Sequence, residues 1–189
     1  MITHLQKFAH YWEVVFVLLY VSINNLKEVL IMDKKSVLKL TGSILICQSA
    51  GIIGSLATGE KALTWYNSLN RPEFSPPNWL FAPVWIILYL LMGVSLFMVL
   101  KTENCSEKKQ ALIIFGIQLF LNALWSPVFF GLKSLMGGFF VIVLLLVFVF
   151  ITFYKFYKIS KVASYLLIPY IFWVSFASGL NLSVWLLNS

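Results

Sequence analysis

The stretch WYNSLNRPEFSPPNWLFAPVWIILYLLMG, Trp65–Gly93, starts as a loop and ends deep inside an apolar run. Its loop part carries Pro72, Pro76, Pro77 and Pro83, the rings of Trp65, Tyr66, Phe74 and Trp79, and one charge of each sign, Arg71 and Glu73. Prolines fix their own backbone and hold the preceding residue extended, so this connection is stiff. Large rings in such a segment gain nothing in water. A stiff aromatic loop is best read as a lid whose rings dip into the mouth of a helix bundle, with an aromatic belt at the lipid headgroups as the competing reading.

Outward from that loop the chain is overwhelmingly apolar. Of its 189 residues 60% are hydrophobic and 11% charged, where a soluble domain has roughly a quarter charged. Too little polar surface remains to cover a water-soluble fold, which predicts an all-α integral membrane protein. A spanning helix needs about 20 mostly apolar residues. Five runs qualify: Val37–Thr58, Phe81–Leu100, Ala111–Gly131, Leu135–Tyr154 and Val162 to the C-terminus. The net charge of +7 comes from lysines grouped between these runs, which read as topology signals rather than a nucleic-acid surface. With the first run entering from the cytoplasm, Lys34, Lys35, Lys39, Lys101, Lys108, Lys109, Lys155, Lys158 and Lys161 fall inside, and Lys61, Arg71 and Lys133 outside. That bias places the Trp65–Trp85 loop outside the cytoplasm.

The N-terminal segment is different. Its apolar core, Val14–Ile23, is too short to span and is followed by NNLKEV rather than a small-residue cleavage site. Met32 opens MDKKSVLKL, and the preferred reading makes Met32 the true start and residues 1–31 an extension outside the native chain; the alternative is an interfacial amphipathic helix. The domain division is therefore 1–31 and a membrane domain over 32–189.

Faces within the runs point inward. Ser43, Cys47, Gly51, Ser55 and Gly59 recur every four residues in the first run, a spacing that admits a close neighbour helix either within the bundle or across a dimer. Gln118, Asn122 and Trp125 share one face of the third, and buried amides in lipid need partners, so that face looks into the bundle. Pro127 follows and is expected to kink or end the helix. Tyr170, Trp173, Ala177, Asn181 and Trp185 share a face of the last run, with a kink expected at Pro169. Trp85, Tyr89 and Met92 share a face of the second. Three such faces converging predict a cavity.

The loop quoted above, QLFLNALWSPVFFGLKS in the third run and LLIPYIFWVSFASGLNLSVWLLN in the fifth resemble the translocator protein family (TspO/MBR), also called tryptophan-rich sensory proteins or peripheral-type benzodiazepine receptors. The resemblance runs from Met32 to the end. It implies a five-transmembrane-helix bundle, a homodimer in the membrane, in bacteria the cytoplasmic membrane, and a pocket under the first loop. It implies ligand-binding positions at Tyr66, Trp79, Trp85, Gln118, Asn122, Trp125, Trp173 and Ala177. The expected partners are membrane lipids and a tetrapyrrole or other flat aromatic small molecule, with porphyrin as ligand or substrate and no required cofactor. The implied function is a receptor or sensor of tetrapyrroles acting on porphyrin metabolism or a stress response; tetrapyrrole transport and light-dependent porphyrin degradation are the alternatives. The family's sterol motif needs a tyrosine followed by a basic residue, and LNLSVWLLNS has neither.

Chemistry is constrained by what the runs omit. The two histidines are His4 and His10, and the five runs hold no aspartate or glutamate. No ordinary acid–base pair and no nitrogen or carboxylate metal site can be assembled there; haem ligation would need Cys47 or an unusual ligand. A metal-free porphyrin, or haem without strong axial ligation, held by ring contacts, apolar burial and amide hydrogen bonds is the expectation. Any catalysis would be light-driven, with Trp85 and Trp173 as electron-transfer residues.

Overall fold

The computed structural model describes residues 33–56, 60–103 and 106–189. Val14–Ile23, the Met32 start, Thr58, Gly59 and Cys105 lie outside the described residues. In chain order the elements are α1 (Lys34–Leu56), α2 (Glu60–Asn67), a 3-10 turn (Asn78–Leu80), α3 (Phe81–Lys101), α4 (Ser106–Ser126), a π turn (Pro127–Gly131), α5 (Leu135–Ile159), α6 (Lys161–Tyr165) and α7 (Ile168–Leu187). Among the described residues there are five spans long and apolar enough to cross a membrane, α6 and α7 together making the fifth. The chain is an integral membrane protein built as a five-helix bundle.

Each boundary has a local cause. Asp33 stands before α1 and accepts from the Ser36 N–H at 3.1 Å, the cap a helix start requires; bonding to Ser36 holds the Asp33 carboxyl below its ordinary value. Pro127 has no N–H to give and ends α4 at Ser126. The chain then widens into the π turn, where the Leu132 N–H reaches the Pro127 carbonyl at 2.9 Å. Lys133, at φ 51°, reverses the chain, and Ser134 caps α5 by accepting from Gly137 N at 3.1 Å. At the other end Ser160 caps α6. The expected kink at Pro169 is instead a break two residues earlier: the chain turns at Leu166 and Leu167, and Pro169 sits in the first turn of α7, where its missing N–H costs nothing.

Two spans are longer than hydropathy suggests. α5 continues past Tyr154 to Ile159, carrying Lys155 and Lys158. The Lys158 ammonium lies 4.8 Å from the centre of the Tyr154 ring, and that of Lys161 lies 5.7 Å from the Tyr157 ring. These are interfacial cations laid along aromatic rings. α4 begins at Ser106, and buried Lys108 donates to the carbonyls of Leu100 (3.1 Å) and Thr102 (2.7 Å), closing the C-terminal end of α3.

Packing runs around a ring: α1 against α3 and α4, α4 against α5, α5 against α6 and α7, and α3 against α6. At the end away from the lid the ring is sealed by Ser95, which donates to the Ala163 carbonyl at 2.6 Å. The first three positions of the small stripe of α1 pack inside the chain: Ser43 and Cys47 are buried, and a Cβ on Gly51 would stand 2.4 Å from the Tyr89 ring, whereas Ser55 is exposed. At Gly93 of α3 it is backbone that comes close: an added Cβ would meet the Ile44 backbone at 2.6 Å. Outward faces are apolar, as with Leu38, Leu45 and Ile53 of α1 and Phe120 of α4, and they meet lipid.

Gly93→Ala should therefore part α1 from α3 and cost about 1–3 kcal/mol, as overpacking does, whereas Gly116→Ala, whose Cβ meets nothing within 4 Å, should leave the protein as stable as before. Thermal unfolding in detergent of the two variants checks this: a lower midpoint is expected for Gly93→Ala alone.

Candidate functional site

The site begins with amides that cannot find water. Asn122 of α4 faces two phenols. The Tyr89 hydroxyl of α3 donates to Asn122 Oδ1, and Asn122 Nδ2 donates to the Tyr170 oxygen of α7 at 2.8 Å. The Tyr170 hydroxyl in turn donates to Gln118 Oε1 at 3.0 Å, and Gln118 Nε2 lies 3.9 Å from the Met92 sulfur. All five side chains are buried. Three helices are thereby fixed in rotation about one another, with each polar group paired, as a lipid-embedded interior requires.

Above this floor, toward the lid, the helices enclose a cavity of about 430 Å³. Trp85 forms one wall, stacked on Tyr89 with centroids 5.4 Å apart and meeting Tyr170 edge-on at 6.3 Å. Trp173 forms another, edge-on to Phe81 at 5.8 Å. Its Nε1–H is buried without a hydrogen-bond partner among the described residues. Trp125 forms a third, its Nε1 donating to Asn181 Oδ1 at 3.3 Å while its ring stacks on Phe129 at 5.2 Å. Ala177 leaves space between Trp173 and Asn181, and all three line the cavity.

The lid closes the loop end. It is more helical than the prolines suggest, since α2 occupies its first part. Tyr66 on α2 lines the cavity, its ring edge-on to Phe129 and Phe130 and its face 5.3 Å from the Arg71 guanidinium. Burial pushes the Tyr66 phenol above its ordinary value, with Arg71 pulling the other way, so the ring stays neutral. Arg71 donates to Asn78 Oδ1 at 3.2 Å, and Asn78 to Asn67 Oδ1 at 3.0 Å. The lid is latched to the end of α7 by a pair of amides: Asn70 N–H donates to Asn188 Oδ1 at 3.0 Å, and Asn188 Nδ2 to the Asn70 carbonyl at 2.9 Å.

The expected positions divide. Tyr66, Trp85, Asn122, Trp125, Trp173 and Ala177 line one cavity. Gln118 does not line it; it lies one turn deeper, under Asn122, and serves the floor. Trp79 does not line it either. Its side chain is 71% exposed on the 3-10 turn, and Phe74, 52% exposed, meets Phe176 of α7 edge-on at 6.3 Å, outside the cavity lining. Trp185 continues its stripe past the cavity and packs against Phe139 and Phe140. Sequence reasoning missed Gln48 and Ile52 of the α1 wall and the π-turn rings of Phe129 and Phe130, and read Gly51 and Ser55, which also line the cavity, as helix-packing positions. Gln48, an amide in an apolar run, was the available signal.

A model of the TspO/MBR family matches residues 43–186, which spans every wall of this cavity. The chain belongs to the TspO/MBR family. It is 44% identical over 155 residues to the tryptophan-rich protein TspO of Chlorobaculum tepidum, covering 82% of this chain and 98% of that one. It is 34% identical over 142 residues to the tryptophan-rich sensory protein of Cereibacter sphaeroides (75% and 86%), and 35% identical over 149 residues to the translocator protein of Bos taurus (76% and 86%). The TspO/MBR match begins at Ser43, so residues 1–31 stand outside it.

Within this TspO/MBR bundle the floor can be tested by its bookkeeping of donors. An interhelical hydrogen bond in lipid averages about 0.6 kcal/mol, but a buried hydroxyl left without an acceptor costs about 1–3 kcal/mol. Asn122→Leu strands the Tyr89 hydroxyl, while Tyr170 keeps Gln118. The single variant should lose thermal stability, and adding Tyr89→Phe should restore part of it; additive losses in this double-mutant cycle would show that the two side chains are not coupled.

Proposed function

We propose that this TspO/MBR protein is a membrane receptor that takes a tetrapyrrole of the protoporphyrin kind, or another flat aromatic molecule, into the cavity between Trp85 and Trp173 and reports its presence. The observation that carries the reading is the cavity itself: a ring-lined, nearly charge-free space with an amide floor. Its shape suits a planar apolar ligand held by ring contacts and few polar groups. The unpartnered Trp173 N–H supports it, since a ligand nitrogen or carbonyl would relieve that donor. Arg71, bonded to the cavity-lining Asn78, offers a cation at the rim for a carboxylate. The printed names of relatives, sensory protein and translocator protein, leave sensing and translocation both open. Sensing is preferred, because the spans carry no charge along the cavity of the kind transport pathways use. The lysine bias supports a lid on the outer side of a bacterial cytoplasmic membrane, and a homodimer is carried as part of the proposal.

Trp85 and Trp173, two indoles lining one cavity, favour one second reading, light-dependent degradation of the bound porphyrin. An excited porphyrin can take an electron from an adjacent indole and pass it to dioxygen; the superoxide so formed adds to the macrocycle, and the adduct returns the electron to the indole radical, so that dioxygen is the net oxidant and the indole is restored. The residues themselves supply no general acid or base.

Protoporphyrin titrated into the full chain in vesicles should quench tryptophan emission to saturation. Ala177→Phe, which fills the cavity, should raise Kd by more than about tenfold, equivalent to about 1.4 kcal/mol; an unchanged Kd would place the ligand elsewhere. Under illumination in air, Trp85→Phe and Trp173→Phe should each slow loss of bound protoporphyrin, with dark controls silent. Undiminished loss in the double variant would remove both indoles from the photochemistry.

A further inference from the structure

The cavity has a second boundary besides the lid. Ile52 and Ser55 of α1 and Ala82 and Ile86 of α3 all line it, yet all are exposed on the outside of the bundle, Ile52 by 61% and Ile86 by 58%. A side chain that both lines an interior space and faces outward marks an opening. The opening lies between two spans, on their apolar flank, so what it faces is lipid.

The packing of α1 on α3 explains where the gap starts. The helices touch backbone to backbone at Ile44 and Gly93, and Gly51 yields to the Tyr89 ring. One turn nearer the lid than Ile44, Gln48 Nε2 donates to the Ile86 carbonyl at 3.1 Å, a bond that bridges the two helices and forms a sill. Beyond the sill the facing residues are Ile52 and Ser55 against Ala82 and Ile86, with no hydrogen bond between them among the described residues. Over the top, by contrast, the polar contacts concentrate: the reciprocal Asn70–Asn188 amide pair, the Arg71–Asn78–Asn67 chain and Arg71 against Tyr66. The face toward water is latched by several hydrogen bonds, and the face toward lipid, beyond the Gln48 sill, by none among the described residues.

We propose that the cavity is loaded and emptied sideways, through the gap between α1 and α3, by a flat molecule already dissolved in the outer half of the bilayer, while the lid stays latched. This rests on the ligand reading above and specifies it: the ligand class is amphiphilic, a membrane-partitioned aromatic system whose anionic edge stays at headgroup level near Arg71. Apolar walls at the gap suit the ring system. Passage over the top would require breaking the Asn188 latch.

The test separates route from ligand. In stopped flow, full-length protein in vesicles is mixed with protoporphyrin and followed by tryptophan quenching, for wild type, Ala82→Phe, Ile86→Phe and Asn188→Ala. Bulk at the gap should slow association and release alike, each by about tenfold. Slowed release is the signature, since a merely lost or disturbed wall contact would speed release. Asn188→Ala should bind and release at wild-type rates. Wild-type rates in both gap variants, or faster exchange in Asn188→Ala, would overturn the lateral route in favour of the lid. A second arm needs no ligand: vesicles whose acyl chains carry bromine should quench emission from Trp85, read as the difference between wild type and Trp85→Phe, and Ala82→Phe should reduce that difference. No bromine-sensitive emission from Trp85 would show the gap closed to lipid and overturn the proposal. If protoporphyrin fails to quench even wild type, the ligand reading falls, and the bromine arm alone decides the portal.

Discussion

Everything above the middle of this bundle depends on one amide. In hydrocarbon, Asn122 cannot turn to water, so its carbonyl and its NH₂ must each meet a partner inside the protein. They meet phenols from two other spans, and the second phenol engages Gln118 a turn below. Directional bonds of this kind set the rotation of α3, α4 and α7, which side-chain packing in lipid alone specifies weakly, since lipid chains are as apolar as leucine. Once those rotations are set, Trp85, Trp125 and Trp173 are carried to the same level on three sides. The cavity is a consequence of where the hydrogen bonds end: below Asn122 the interior is filled by packed side chains such as Met92, Leu145 and Phe156, and above it the rings are too large and too few to fill the space.

The spans were legible because hydropathy is a property of composition, and a twenty-residue apolar run has one stable fate in a bilayer. Their faces were legible for the same reason as the floor: Gln118 and Asn122 lie on one side of α4, and buried amides must face inward. Depth was not. Spacing of four residues places Gln118 and Asn122 in one column but does not say that the cavity stops between them. The small stripe of α1 was ambiguous, because close approach by a helix of the same chain or of another demands the same small residues; Gly51 against the Tyr89 ring assigns its middle to α3.

The lid was the least legible part. Ring count and prolines do not reveal which side of a chain a ring takes. Tyr66, on the inner face of α2, turns in, and Trp79, on the 3-10 turn, turns out. Its anchor was equally hidden, because Asn70 and Asn188 are 118 residues apart and each reads alone as an ordinary turn or terminal amide. The break at Leu166–Leu167 carries no glycine, and its cue, Pro169, points two residues too late. The α1 wall was missed because its cavity residues, Ile52 among them, look like any lipid-facing side chain. On the lateral route proposed above, that resemblance is physical: they face lipid and cavity together.

An experimental structure of the protein saturated with protoporphyrin in a lipid environment tests the central claim most directly. The account predicts planar density resting above Asn122 between the rings of Trp85 and Trp173, with the Tyr89–Asn122–Tyr170 bonds intact. Density confined to the outer, lipid-facing surface of the helices, with the space above Asn122 left as it is, would contradict it.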